Sequence, residues 1–303
     1  MKIKLIYILI ALFLIFSSCQ HIDTLAQSAA NAEIIDRGTA NVISISARAF
    51  GSAAENATPE QEYYIGRAVA ANILSRYPLL EGNREFVAYL NLICQAIVLN
   101  SPQPIMFSGY HVAILDTEEI NAFATSGGHV FVTLGLLNIT ENEDALAGVI
   151  AHEVAHIQLR HGIKSIKSSK MTEALLVTAT ATLENAMGVD SLEMSDIFNE
   201  SVGEIMQTMV NSGYSKEQEY EADIAAMYLM GAAGYEPSAY INMLNELKAV
   251  YKHGPGFGRT HPAPRQRIYF AEKVLSRFNI EDTTMERQER FSEALKTMVA
   301  NAR

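Results

Sequence analysis

TENEDALAGVIAHEVAHIQLRHG (Thr140–Gly162) is the stretch that organises the rest of the chain. Leu146, Val149, Ile150, Val154 and Ile157 recur at helical spacing and predict a helix with one buried face. Thr140 and Glu143 have the spacing of a capping box, and Gly162 suits the position just past a helix end. On this helix sit His152 and His156, four residues apart and so on one face, where both imidazoles can reach a single metal ion. Glu153 follows the first histidine, where its carboxylate can reach a metal-bound water and serve as general base. Either histidine alone would read as an ordinary polar residue on an amphipathic helix. The pair, on a capped helix that is apolar along one side, reads as a zinc site.

A catalytic zinc needs a third protein ligand and an open position. Three candidates lie downstream: His161, the acidic cluster Glu217 to Asp223, and His261. On a continuous helix His161 would lie about 140° around from His156 and point away from the metal. The acidic cluster opens a helical segment running to Gly231, in which Glu219 and Asp223 share a face with Ala226 and Met230. That face could supply one ligand and one carboxylate that orients a ligand imidazole. By itself the cluster reads better as a solvated helix N-terminus, where acidic residues complement the dipole.

The remainder of the 303 residues sets the frame. With 34 acidic against 23 basic residues the net charge is -11. That balance argues against nucleic acid as a partner, since phosphate contacts need clustered Lys and Arg. Two cysteines cannot make a disulfide scaffold or a cysteine-based zinc ribbon. Lys2 and Lys4 precede an apolar run of 12 residues from Leu5 to Phe16, short for a membrane span but suited to an export signal. It ends in Phe16-Ser17-Ser18-Cys19, which resembles a bacterial lipoprotein signal whose cysteine is acylated to become the mature N-terminus. Phe16 stands where an aliphatic residue is usual, and ordinary secretion with cleavage nearby is the alternative. Loss of residues 1–18 would leave 21 basic residues (23 less Lys2 and Lys4) against 34 acidic ones. An acylated Cys19 would leave Cys94 without an intrachain partner. Gln20 is not the aspartate associated with inner-membrane retention, so the outer membrane is favoured over the inner.

Residues 19–57 are rich in Ala, Ser, Asn and Thr and read as a tether, with a short helix around Ile43 to Phe50. Thr58 can cap a helix that starts at Pro59, carries Tyr64, Ile65, Val69 and Ile73, and stops before Pro78. A second helix spans about Arg84 to Leu99. Two β-like stretches follow, His111–Leu115 and Val130–Thr133, the latter introduced by Gly127-Gly128, which favours a turn or a close backbone approach. Between Ser165 and Tyr214 a long, partly apolar segment with Met187, Met194, Met206 and Met209 reads as a lid, a membrane-facing helix pair or core. Residues 281–303 read as one amphipathic helix. The expected organisation is a signal peptide (1–18), a lipid-anchored tether (19–57), a metallopeptidase domain (58–275) and a helical tail (276–303).

Several motifs occur in a fixed order: Asn121-Ala122-Phe123-Ala124, Gly127 to Val132, Gly135-Leu136-Leu137, His152 to His156 with Arg160-His161, Glu219 to Asp223, and His261-Pro262 with Arg267-Ile268. Together they resemble the gluzincin metalloendopeptidases of the family that includes HtpX and the CAAX prenyl protease, and more closely that family's exported bacterial lipoproteins. The resemblance runs from about Pro59 to Ile268; Ala145 stands where the family pattern leads one to expect an acidic residue. It implies an α+β fold, mainly α-helical, with a zincin-like domain and a small antiparallel sheet. It implies one Zn2+ per chain, held by His152, His156 and Glu219, with Glu153 as base and Asp223 behind a ligand imidazole. The Gly127–Thr133 strand, with Gly128, His129, Val130 and Phe131, resembles the edge strand on which such enzymes pair substrate backbone.

The implied activity is endoproteolysis of unfolded or misassembled envelope proteins by the lipid-anchored enzyme, facing the periplasm. Two neutral imidazoles and one carboxylate leave a zinc site near +1, able to polarise a peptide carbonyl and activate water. His261, on a Pro-flanked loop from Gly254 to Pro264, is a candidate oxyanion donor, with Arg267 as the alternative. His261 could instead fill the open zinc position and hold the enzyme latent. Or His261-Pro262 could simply begin a helix, with Arg267 in an ion pair. Two other function classes remain: a chaperone or assembly-factor lipoprotein with a latent site, and an envelope hydrolase acting on peptidoglycan peptides.

Overall fold

The computed structural model describes residues 58–165, 202–250, 260, 261, 263–278 and 284–301. The chain divides into two units, 1–57 with 166–201 and 58–165 with 202–303, and the described residues all belong to the second. Cys19, the tether, the helix expected at Ile43–Phe50, Met187 and Met194 lie outside them.

Helix α1 (Pro59–Arg76) starts where proline's missing N–H costs nothing, and its first turn closes on the Thr58 carbonyl, 3.0 Å from Glu62 N. It buries Ile65, Val69 and Ile73 and ends before Pro78. Helix α2 (Arg84–Leu99) buries Phe86, Leu90, Ile93, Cys94, Ile97 and Val98 along one face.

Strands β1 (His111–Leu115), β2 (Ala122–Ala124) and β3 (His129–Thr133) form a sheet of order β1-β3-β2. β2 and β3 are an antiparallel hairpin with Phe123 opposite Phe131. Its turn closes through Gly128 N to Thr125 O, with Gly128 at φ +87, a conformation open to glycine and strained for other residues. β1 lies on the far side of β3 and runs parallel to it, His111 opposite His129. Two expectations change. The sheet is mixed rather than wholly antiparallel. His129, Val130 and Phe131, with Gly128 in the turn just before them, belong to the central strand, whose backbone groups are paired on both sides, so β3 is not an edge; among the described residues, the edges are β1 and β2.

Thr133 caps the short α3 (Leu134–Ile139), its hydroxyl accepting from Leu136 N. Helix α4 (Glu143–Gln158) carries the two histidines and is buried from Glu143 to Ile157. Its cap is Asn142, whose side chain accepts from Ala145 N at 2.8 Å; Thr140 instead closes α3 by donating to Leu136 O. α4 packs against α2, β2, β3, α6 (Lys216–Ala232) and α7 (Pro237–Val250). It stops at Gln158, before Gly162. Arg160 then takes a left-handed conformation and a short helix α5 (His161–Lys164) begins.

A π-helical turn at Gln207–Ser212, with Met206 and Met209 buried, leads to Ser215. Ser215 and Gln218 form a reciprocal capping box that starts α6. Helices α8 (Pro264–Leu275) and α9 (Thr284–Asn301) complete the described unit. α9 is part of the core: Phe291 and Met298 join the same cluster as Leu90, Leu146 and Met230. The fold is mainly α-helical with one small sheet beside the histidine-bearing helix. Among the described residues, no helix is long and apolar enough to cross a membrane.

Candidate metal centre

One turn of α4 separates His152 from His156, both 2% exposed, and their Nε2 atoms face each other 3.1 Å apart. Glu219 projects from the first turn of α6, fully buried, with carboxylate oxygens 3.7 Å from His152 Nε2 and 3.6 Å from His156 Nε2. His261 comes from the segment before α8, its Nδ1 2.9 and 3.0 Å from the two Glu219 oxygens. Thr260 anchors that segment by donating to Asn121 Oδ1, at the start of β2. Ligand atoms from His152, His156, Glu219 and His261 all lie within 4.8 Å of one another. Four donors of this kind, two of them bare imidazole nitrogens turned toward each other, suit a single Zn2+ ion. Spacing pointed to His152 and His156, the resemblance implied Glu219, and His261 was left between several roles; the fold brings all four together.

Ligation requires neutral imidazoles and an ionised carboxylate. Burial, then the neighbouring His152, His161 and His261, holds His156 well below the ordinary histidine range. Burial alone would push the Glu219 carboxyl up, but His261 and Arg267 beside it outweigh that and hold it down. The surroundings thus favour the ligand forms of His156 and Glu219.

The other nitrogen of His152 is also committed. Nδ1 lies 3.1 Å from Asp223 Oδ1 and 2.9 Å from the Tyr240 hydroxyl, which donates to Asp223 at 2.6 Å. Asp223 sits one turn after Glu219 on α6. Burial opposes its charge, yet the Arg267 guanidinium and His152 hold its carboxyl far below the usual range. Arg267 is fully buried, donating to Asp223 from Nε at 2.9 Å and Nη2 at 2.6 Å, with Nη1 3.2 Å from Glu219. Of the roles open to Arg267, the structure shows the ion pair.

Glu153 differs from every other acid here. It is 2% exposed, and among the described residues Oε1 has no hydrogen-bond partner; His261 Nε2 lies 3.9 Å from it. Burial pushes its carboxyl up. An orphaned carboxylate oxygen beside a cluster of ligand atoms is what a water-activating base presents.

Two neighbours, Tyr240 and Tyr214, carried no sequence signal, and a third, His161, was expected to point away but lies with Nδ1 2.9 Å from His156 Nδ1. The Tyr214 ring stacks on His156 with centroids 4.3 Å apart. Tyr240 reaches His152 because residue 148 is glycine; a Cβ there would stand 2.8 Å from the tyrosine ring. That glycine, one turn before His152, was the one available clue. His129 lies apart, near Tyr63 and His111.

Residues 90–275 match the model of peptidase family M48. The chain is similar to the beta-barrel assembly-enhancing protease of Escherichia coli, 26% identical over 211 residues, which are 68% of this chain and 41% of that protein. It is 30% identical over 171 residues to the mitochondrial metalloendopeptidase OMA1 of Schizosaccharomyces pombe, covering 54% of this chain and 46% of the relative. To the metalloprotease LoiP of Escherichia coli it is 25% identical over 280 residues, 91% of this chain and 98% of that one. The matches span less than half the length of the first two relatives.

Proposed function

The chain belongs to peptidase family M48, and on that premise we propose that it is an endopeptidase that cleaves unfolded or misassembled polypeptides of a bacterial envelope. The observation that carries the reading is Glu153 Oε1, buried and, among the described residues, without a hydrogen-bond partner beside four convergent ligand atoms. In this reading His152, His156 and Glu219 hold the zinc. When bound, the ion supplies Lewis acidity that polarises a peptide carbonyl and makes water acidic enough to lose a proton near pH 7. Glu153 takes the proton of the attacking water and returns it to the leaving amine. Asp223, itself fixed by Tyr240 and Arg267, orients His152 and keeps its proton on Nδ1. β2 carries no further strand on its outer side among the described residues, and it packs beside α4. That edge offers an extended substrate main-chain pairing with little sequence preference, which suits unfolded chains.

The envelope setting rests on the lipoprotein-like Phe16-Ser17-Ser18-Cys19 and on relatives named for bacterial barrel assembly and metalloproteolysis. In this reading the domain is lipid-anchored through Cys19 and a tether of residues 19–57, facing the periplasm from the outer membrane.

Glu153→Gln tests the base. It keeps the shape and leaves His152, His156 and Glu219 intact. Zinc content is expected to stay at the unsubstituted level while casein cleavage falls by about 10²–10⁴-fold. Cleavage within threefold of the unsubstituted enzyme would remove Glu153 from the mechanism.

A second reading is supported by His261. With its ring among the ligand atoms, it can occupy the position a substrate water needs, so the protein would act chiefly as an assembly factor with a latent site. Unchanged substrate binding and cellular phenotype in Glu153→Gln would favour this reading; loss of phenotype would favour proteolysis.

A further inference from the structure

We propose that His161 is a positioning residue for His156, setting its tautomer and ring orientation through a histidine-to-carboxylate relay that ends on Glu221. The proposal rests on the zinc reading of the site. His161 follows His156 by five residues, and on an unbroken helix it would face away. The chain does not continue as a helix. α4 ends at Gln158, and Arg160 turns the backbone at φ 60, ψ 32, the one positive-φ residue other than glycine among those described. The left-handed region disfavours a residue with a Cβ, and Arg160 makes an ion pair from its guanidinium to Glu62 on α1. The result of that turn is a fully buried His161 ring brought back against His156, Nδ1 to Nδ1 at 2.9 Å, the rings nearly edge to face. On its other side His161 Nε2 lies 3.3 Å from the Glu221 carboxylate, which reaches in from α6 and is more than half exposed.

Proton bookkeeping gives this chain a direction. His156 Nε2 faces His152 and Glu219, so its lone pair belongs to the metal and its proton to Nδ1. Two Nδ1 atoms at 2.9 Å need one proton between them, so His156 Nδ1–H donates and His161 Nδ1 accepts. The proton of a neutral His161 is then on Nε2, where it donates to Glu221. The two zinc imidazoles are therefore oriented differently. Asp223 and Tyr240 meet His152 directly, whereas His156 meets a carboxylate only through a second imidazole. Partners of this kind raise ligand basicity and fix ring orientation, and their loss commonly costs 10–100-fold in metal affinity.

The test is zinc affinity of the full-length apo-protein, measured by competition with a chromophoric chelator, with thermal unfolding as the check on folding. His161→Phe keeps a buried ring of similar size but can neither accept nor donate; affinity is expected to fall 10–100-fold. His161→Gln can accept at Oε1 and donate from Nε2, and should recover to within about threefold of the unsubstituted protein. Should His161→Phe fail to fold, Glu221→Ala serves in its place: a several-fold loss, together with a shifted visible spectrum of the cobalt-substituted protein, is expected. A zinc affinity of His161→Phe, or of Glu221→Ala if Phe does not fold, within twofold of the unsubstituted protein would overturn the relay. If the unsubstituted protein itself takes up no zinc, the peptidase reading falls and the relay with it, which separates the two failures.

Discussion

Glu153 and Glu219 carry the same carboxyl group in one buried site, and the protein pushes them in opposite directions. Glu219 faces His261 and Arg267 and is held ionised; Glu153 has burial without a hydrogen-bonded cation and is pushed up. Carboxylates separated in this way divide into ligand and base. Part of this was legible: His152, Glu153 and His156 announce themselves by spacing, whereas Glu219 and Asp223 share a helix face but were picked out only by the family resemblance. Tyr240 and His161 were not, because one is brought by packing across helices and the other by a backbone reversal that no side-chain pattern encodes. Cys94 gives a separate test at this scale. It is fully buried, and burial pushes its thiol up to about 12. Only thiolate reacts with iodoacetamide, so the native protein at pH 8 should show at least 100-fold slower alkylation of Cys94 than the protein in denaturant, read by mass spectrometry. Comparable rates would place Cys94 at the surface.

Among the elements, α4 depends on what surrounds its ends. Its first-turn acids, Glu143 and Asp144, are 1% exposed and face cations on α9: Arg290 pairs with Glu143, and Arg287 donates to Asp144 at 2.8 Å. Asp144 also accepts from Glu236 N at 2.7 Å. The C-terminal helix thus clamps the N-terminus of the metal-binding helix. Arg287→Ala should destabilise by ~2–3 kcal/mol, less than the ~3–5 usual for a broken buried pair because the Glu236 N–H remains. That corresponds to a fall in Tm of roughly 4–12 °C for a domain of this size; a change under 1 °C in a thermal melt would contradict the clamp. The sequence revealed that α9 exists, as an amphipathic pattern, but not what it touches. Strand pairing was hidden for a related reason. The hairpin of β2 and β3 is local and signalled by Gly127-Gly128, whereas β1 joins the far side of β3 by a non-local contact. That contact makes β3 central and leaves β1 and β2 as the edges among the described residues.

At the scale of the whole molecule, residues far apart in sequence converge on one point: α4 supplies two imidazoles and a base, α6 a carboxylate, and the segment before α8 a third imidazole. Zinc bound there ties three segments together, so it should stabilise the fold as well as equip it. The order of motifs along the chain made the convergence legible, since the same residues resemble a family whose model the chain matches. What remained hidden was how crowded the point is, with His261 among the ligand atoms. The central claim is tested most directly by the metal content of the purified protein together with casein hydrolysis before chelation, after chelation, and after return of zinc. One zinc per chain, with cleavage abolished by chelator and restored by zinc, is the predicted result; cleavage that persists in metal-free protein would contradict it.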